Sequence, residues 1–88
     1  MEIRFSLGKC KTRAGYSARL LQKGKLNLKK LKPQFTLLLE TPILLVIREQ
    51  GLEIVVHQYG ELLFRNGKAE DVVLMEKVAR RIYEEGLR

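Results

Sequence analysis

The chain contains one cysteine and one histidine, and this scarcity narrows the chemistry available to it. The single cysteine, Cys10, cannot form a disulfide bond within the chain. The single histidine, His57, lies in the segment IVVHQ, whereas a metal site needs several Cys, His or carboxylate ligands placed together. We therefore predict no metal site and no cofactor. We interpret Cys10 as a small buried or half-exposed side chain and His57 as a structural or surface residue.

Sequence motifs for catalysis are also missing. No glycine-rich phosphate-binding loop precedes a helical segment. The acidic residues fall at predicted turns and helix ends, where solvation and capping account for them, whereas general acid–base catalysis needs carboxylates or histidine positioned in a cleft. We assign no catalytic residue and expect that the protein is not an enzyme.

The chain has no long hydrophobic run. The longest one, Ile43 to Ile47, is far shorter than the roughly 20 residues that cross a bilayer. The N-terminal residues MEIRFSL lack the basic start and apolar core of a secretory signal. We expect a cytoplasmic protein with no membrane partner, built as a single domain over residues 1–88.

Alternation of apolar and polar residues predicts several β-strands. Residues 2–8 alternate cleanly, and turns at Gln50–Gly51 and Tyr59–Gly60 separate later strands as antiparallel hairpins. The segment FTLLLE at 35–40 hardly alternates, which predicts a central strand or one covered on both faces. The remaining predicted strands are 43–48, 52–58 and 61–65.

Residues 14–22 fit two structures. Alternation from Ala14 to Leu20 favours a strand, in which case Lys23–Gly24 could form a hairpin turn. Ser17 could instead cap a short helix that stops at Gly24. The next segment, KLNLKKLK at 25–32, has three leucines as apolar anchors, and Pro33 disfavours helix at Lys32 and closes the segment.

The C-terminal residues predict the one long helix. Asn66 is a candidate N-cap, and Gly86 is expected to end the helix in a left-handed conformation. An apolar stripe at spacings of three and four consists of Val72, Met75, Val78, Ala79 and Ile82. The whole chain therefore predicts an α+β fold: an antiparallel meander sheet with a long C-terminal amphipathic helix packed on one face.

The block from Leu52 to Gly86 resembles the end of one repeat of the TATA-binding-protein fold. The matching positions are Ile54 to Val56, Gly60, Leu62 to Phe64, Gly67, Glu70–Asp71, Arg80–Arg81 and Gly86. That family carries two repeats in one chain and inserts phenylalanines between DNA base steps. This chain has room for one repeat, and Phe64 is the only candidate near the matching block. The resemblance implies a curved sheet with an exposed face, and it does not imply sequence-specific promoter binding.

Positive charge is concentrated in the first third of the chain. Residues 1–33 contain ten Lys or Arg and one acidic residue, whereas residues 34–88 contain seven Lys or Arg and nine acidic residues. Clustered Lys and Arg supply most of the non-specific affinity for nucleic acid, and an aromatic ring among them could stack on a base. The predicted nucleic-acid-binding residues are Lys9, Lys11, Arg13, Tyr16, Arg19, Lys23, Lys25, Lys29, Lys30 and Lys32.

This pattern leaves the type of nucleic acid, RNA or DNA, open. If the basic third lies along one edge of the sheet, its lysines should lie opposite the acidic helix ends at Glu70–Asp71 and Glu84–Glu85. The alternative function is a protein-interaction module, or a subunit of a larger assembly. It would form a homodimer through its sheet, because FTLLLE and ILLVI carry more apolar surface than one helix covers.

Overall fold

A computed structural model of the chain describes residues 3–9 and 15–87. Its strands are β1 (Phe5–Lys9), β2 (Tyr16–Leu20), β3 (Thr36–Glu40), β4 (Leu44–Glu49), β5 (Leu52–His57) and β6 (Glu61–Phe64). They form one antiparallel sheet in the order β1-β2-β6-β5-β4-β3. Two α-helices within the described ranges, α1 (Leu28–Leu31) and α2 (Val72–Gly86), complete the predicted α+β fold.

Both helices pack on the same face of the sheet and leave the other face open. Along β5, Leu52, Ile54 and Val56 are buried towards the helices, while the alternate residues are only half-buried. The apolar stripe of α2 covers them with Met75, Val78, Ala79, Ile82 and Tyr83. Burying each large apolar side chain contributes about 1.5–3 kcal/mol, so the docking of α2 dominates the stability of this small domain. No helix within the described ranges is long and apolar enough to cross a membrane.

Within residues 14–22, for which the sequence predicts either a strand or a helix, Tyr16–Leu20 is the strand β2. β2 lies between β1 and β6, and fully buried Ala18 has Leu7 and Leu62 as its cross-strand neighbours. Hydrogen bonds to β1 and to β6 satisfy the backbone of β2 on both sides. A short isolated helix would leave many of its backbone N–H and C=O groups without partners. Lys23–Gly24 does not join a hairpin, because β2 pairs with the preceding strand β1 and the chain then crosses to α1.

The predicted central position of FTLLLE is wrong. β3 lies at the edge of the sheet, and all five of its residues are exposed. The weak alternation has another cause: the register shifts between Leu37, which lies opposite Ile47, and Leu39, which lies opposite Val46. Leu38 is therefore an extra residue in a β-bulge, which changes the phase of the side chains and is common at sheet edges.

The two predicted caps of the long helix are also wrong. The Asn66 side chain accepts a hydrogen bond from the Glu53 N–H and donates one to the Gly51 carbonyl, both at 2.9 Å, so it secures the β4–β5 turn. A 3-10 turn, Ala69–Asp71, precedes α2 instead, and at its start the Lys68 N–H donates to the Asp71 carboxylate at 3.2 Å.

The other end of α2 also departs from the prediction. Gly86 is the last residue of α2 and is not among the glycines with positive φ. A Cβ on Gly86 would lie 2.8 Å from a Leu26 methyl carbon. Its small size therefore lets Leu26, in the segment before α1, pack tightly against the end of α2.

Candidate nucleic-acid interface

Two backbone hydrogen bonds anchor the lysine-rich segment from Lys23 to Lys32, called the basic segment below. The Leu26 N–H donates to the Gln58 carbonyl at 2.7 Å, which ties the segment to the β5–β6 turn. The Asn27 N–H donates to the Gly86 carbonyl at 2.8 Å, which ties it to the end of α2. With the Leu26 side chain buried between these anchors, the segment crosses one end of the sheet in a defined position.

The local sequence then turns the lysines outward. The Asn27 side chain caps α1 by accepting a hydrogen bond from the Lys29 N–H at 3.1 Å. Leu28 and Leu31, three residues apart on one helix face, are buried. Lys29 and Lys30 between them are therefore exposed to solvent. The α-helix ends at Leu31, as the proline predicts, but Lys32 keeps a right-handed helical conformation. Lys32 starts a 3-10 turn that contains Pro33, so the prediction that Lys32 is not helical is only partly met.

Two adjoining grooves lie between the basic segment and the turns of the sheet. The larger, of about 470 Å³, is lined by Lys25, Asn27, Lys29 and Gln58 among others. The second, of about 370 Å³, is lined by residues that include Lys29, Lys32, Glu40 and Thr41, and Pro42 lines both grooves. Lys29 lies where the grooves meet, so a chain of phosphates could follow the lysines from one groove into the next.

Lys32, at the end of the basic segment, has an acidic partner. Lys32 forms an ion pair with Glu40 at the end of β3, and both side chains are partly exposed. An exposed pair of this kind contributes little to stability. It does reduce the local positive potential, so Lys25 and Lys29 carry more of the attraction for anions than Lys32 does.

The predicted binding residues do not all lie on this surface. Lys9 pairs with Tyr16 at the opposite end of the sheet, and Tyr16 is half-buried against the core. Arg19 lies on the open face, with its guanidinium 3.9 Å from the Glu61 carboxylate. The predicted residues Lys11 and Arg13, together with Cys10, lie outside the described residues.

The predicted separation of positive and negative charge is only partly met. Glu84 and Glu85 lie at the end of α2, beside the basic segment, because Gly86 accepts the hydrogen bond from Asn27. Glu70 and Asp71 precede the first residue of α2, a helix of 15 residues and hence about 22 Å long. Of the two acidic pairs, only Glu70–Asp71 therefore lies away from the basic segment, as predicted.

The open face of the sheet has a mixed character. Leu39, Val46, Val55 and Leu63 form an apolar row across four adjacent strands. Beside this row, the Glu53 carboxylate lies 3.7 Å from the Arg48 guanidinium and 3.8 Å from that of Arg65. These arginines are partly neutralised, so this face attracts polyanions less than the basic segment does.

Phe64, the candidate for insertion between bases, is fully buried on the face covered by the helices. It therefore cannot act as a wedge in DNA without unfolding the core.

Within residues 3–9 and 15–87, no cluster of three or more His, Cys, Asp or Glu side chains could hold a metal ion.

Asn27, Pro42 and Gln58 line the grooves but were not predicted from the sequence. Their residue types do not mark them as binding residues, because residues 42 and 58 reach the basic segment only through the packing of the sheet.

Comparison of the chain with protein-family models, with curated proteins and with solved structures finds no match.

Proposed function

We propose that the protein binds nucleic acid through the basic segment. The observation that carries this proposal is the alignment of Lys25, Lys29 and Lys32 along two adjoining grooves. Lysine ammonium groups bind phosphates as mobile point charges and release condensed counterions, which supplies affinity without sequence preference.

The grooves also hold neutral polar groups suited to a nucleic-acid backbone. Asn27 and Gln58 line the same groove as Lys25 and Lys29. Amide side chains commonly donate hydrogen bonds to phosphate and sugar oxygens, which positions the strand but carries no sequence information. The proposed binding is therefore largely independent of sequence and strongly dependent on salt.

The test compares two double variants of exposed lysines. Lys25→Ser/Lys29→Ser removes two charges from the grooves, and Lys68→Ser/Lys77→Ser removes two from the start and the middle of the α2 region. Affinity for mixed single- and double-stranded oligonucleotides is measured at several salt concentrations. We expect only the first variant to bind more weakly, with a salt slope flatter by about 1.4–1.8 if each lysine contacts one phosphate.

Equal effects of the two variants would show that net charge alone attracts the nucleic acid and that the grooves are not a site. A wild-type protein that binds no oligonucleotide at low salt would refute the proposed function.

A second candidate is a homodimer formed through the sheet. Exposed apolar side chains concentrate at the β3 edge and the turn after it, where Leu39 is 54% exposed and Ile43 is 62% exposed. A second copy covering this region in an isologous dimer would remove it from water. The open face of the sheet also agrees with the exposed face that the resemblance to the TATA-binding-protein fold implies, so kinship with that family is part of this proposal.

Sedimentation across micromolar concentrations tests this candidate. We expect the wild type to associate as concentration rises and Leu39→Lys/Ile43→Lys to remain monomeric, because two charges would be buried in the interface. Val73→Lys, at an exposed position on α2, is the control. A wild-type protein that remains monomeric throughout would contradict the homodimer.

A further inference from the structure

We infer that Tyr59 is a base-stacking residue and that the nucleic acid bound by the basic segment is single-stranded. This inference rests on the proposed function and adds the class of ligand and a contact to its bases. It is carried by the exposure of Tyr59 and by its position in the β5–β6 turn, directly after Gln58, which lines the larger groove.

The Tyr59 side chain is exposed and yet held in place. It is 65% exposed in the β5–β6 turn. Its ring centroid lies 5.0 Å from that of His57, with the two planes tilted by 30°. Its hydroxyl donates a hydrogen bond to the Glu61 carboxylate at 3.3 Å. A ring restrained in this way loses less conformational entropy when a base stacks on it.

The turn that carries Tyr59 also forms one wall of the larger groove. Gln58 lines that groove with Lys25 and Lys29, and its carbonyl accepts the hydrogen bond from Leu26. On the other side, the Gln58 N–H donates to the Ile43 carbonyl at 3.0 Å. Tyr59 therefore directly follows a residue that lines the larger groove and is fixed against the basic segment.

No other aromatic residue offers this combination. All six Phe and Tyr residues of the chain are in the described ranges, and Tyr59 is the only one of them that is exposed. The predicted stacking residue, Tyr16, is half-buried and lies beside Lys9 at the far end of the sheet. Tyr59 therefore replaces Tyr16 as the aromatic residue of the proposed site.

An exposed ring in a turn that walls a lysine-lined groove is suited to binding a single strand. Bases of a single strand can leave their neighbours and stack on an aromatic ring while lysines follow the phosphates. Bases in a duplex are already stacked and paired, and their faces are inaccessible. The Glu61 carboxylate near the ring also lies 3.9 Å from the Arg19 guanidinium, which offsets its repulsion of phosphates.

The first experiment compares Tyr59→Leu with Tyr59→Phe. Leucine keeps apolar bulk without a π-face, and phenylalanine keeps the ring without the hydroxyl. Affinity is measured for a mixed-sequence single strand and for the duplex that contains it. We expect Tyr59→Leu to lose about five- to 150-fold in affinity for the single strand, the range for one base stacked on an aromatic ring. Tyr59→Phe should bind like the wild type, and duplex affinity should not change in either variant.

A fluorescence experiment reports the stacking directly. The chain has no tryptophan, so Tyr59→Trp introduces a single one at the proposed site. Val73→Trp is the control, because Val73 is 67% exposed on α2. A single-stranded oligonucleotide should quench the tryptophan at position 59 and leave that at position 73 unchanged.

The outcomes separate this inference from the proposed function. If Lys25→Ser/Lys29→Ser weakens binding while Tyr59→Leu binds like the wild type, the basic segment binds nucleic acid and the stacking role is refuted. Equal loss of single-strand and duplex affinity in Tyr59→Leu would refute selectivity for single strands. A wild-type protein that binds no oligonucleotide would refute both.

Discussion

Tyr83 is the residue at which burial changes the chemistry most clearly. Its side chain is fully buried, and its hydroxyl donates a hydrogen bond of 2.7 Å to the Gly60 carbonyl, which links α2 to the β5–β6 turn. Burial raises the pKa of Tyr83 well above its ordinary value of 10.0, and the nearby Glu61 carboxylate raises it further. The phenol therefore stays protonated, and its hydrogen bond persists, at pH values where an exposed tyrosine ionises.

This raised pKa predicts a loss of stability in alkali. The folded protein holds the Tyr83 proton more tightly than the unfolded chain does. Its stabilising effect is complete below about pH 10 and declines as the pH rises above that value. Urea unfolding should show Tyr83→Phe to be less stable than the wild type by about 1 kcal/mol at pH 8, through loss of the hydrogen bond.

The same variant should show a weaker decline in stability above pH 10, because it lacks the group that ionises there. Tyr59→Phe, which changes an exposed tyrosine, is the control. Parallel stability curves for the wild type and Tyr83→Phe would contradict the role of Tyr83.

At the scale of elements, the short helix α1 shows how much the fold depends on packing. A helix of four residues does not form in isolation, because helix nucleation costs more than one turn returns. It forms here because Leu28 and Leu31 are buried and Asn27 is bonded to the end of α2. The position of the basic segment therefore depends on the position of α2.

The attachment of α2 is tested by one substitution on each of its faces. Val78 is 3% exposed and packs in the core, whereas Val73 is 67% exposed on the same helix. Val78→Asp buries an unpaired carboxylate and should unfold the domain. Val73→Asp introduces the same charge into water and should change the free energy of unfolding by less than about 0.5 kcal/mol.

Circular dichroism melts of the two variants measure this difference. A cooperative transition of Val78→Asp near the melting temperature of the wild type would show that α2 is not essential to the core.

For the whole molecule, the formal net charge of +7 is distributed unevenly. The lysines of the basic segment lie at one end of the sheet, and Lys9 lies at the other. Glu84 and Glu85 lie beside the basic segment and shorten the range of its positive potential. The proposed attraction of polyanions is therefore local to the grooves and is screened at distances beyond about 10 Å at 0.1 M salt.

This arrangement predicts that binding and stability can be separated. Lys25, Lys29 and Lys30 are exposed, and exposed charges contribute about 0–1 kcal/mol each. The triple change of these lysines to Ser should leave the melting temperature within a few degrees of the wild type, while flattening the salt dependence of oligonucleotide affinity. A much lower melting temperature would show that these lysines are structural.

The sequence by itself determined the strands after Pro42 and the long helix, because each depends on residues close together in the chain. Alternation predicts the strands from Leu44 to Phe64 and their turns, since the side-chain period of a strand is local. At the tight turn, Gln50 and Gly51 have positive φ angles of 51° and 83°. Two-residue hairpin turns need such angles, and glycine adopts them readily, so the glycine marks the turn in the sequence. The same reasoning predicted the apolar stripe of α2, in which Met75, Val78, Ala79 and Ile82 are buried.

The local sequence predicted the wrong roles for Asn66 and Gly86, because Asn and Gly are common helix-capping residues. Asn66 bonds across the β4–β5 turn to Gly51 and Glu53, and Gly86 packs against Leu26. Each of these partners lies at least 13 residues away, so the competing interaction could not be read from neighbouring residues.

Only the tertiary structure decided which surfaces meet. The order of the strands decided the edge position of β3. Contacts such as Leu26 with Gln58 and Asn27 with Gly86 decided where the grooves form and brought the turn that carries the exposed Tyr59 against the basic segment. A single sequence encodes such contacts through the combined packing of the core, in which many distant residues contribute at once. Its local periodicity therefore predicts strands and helices, but not which side chains of different elements come to share a site.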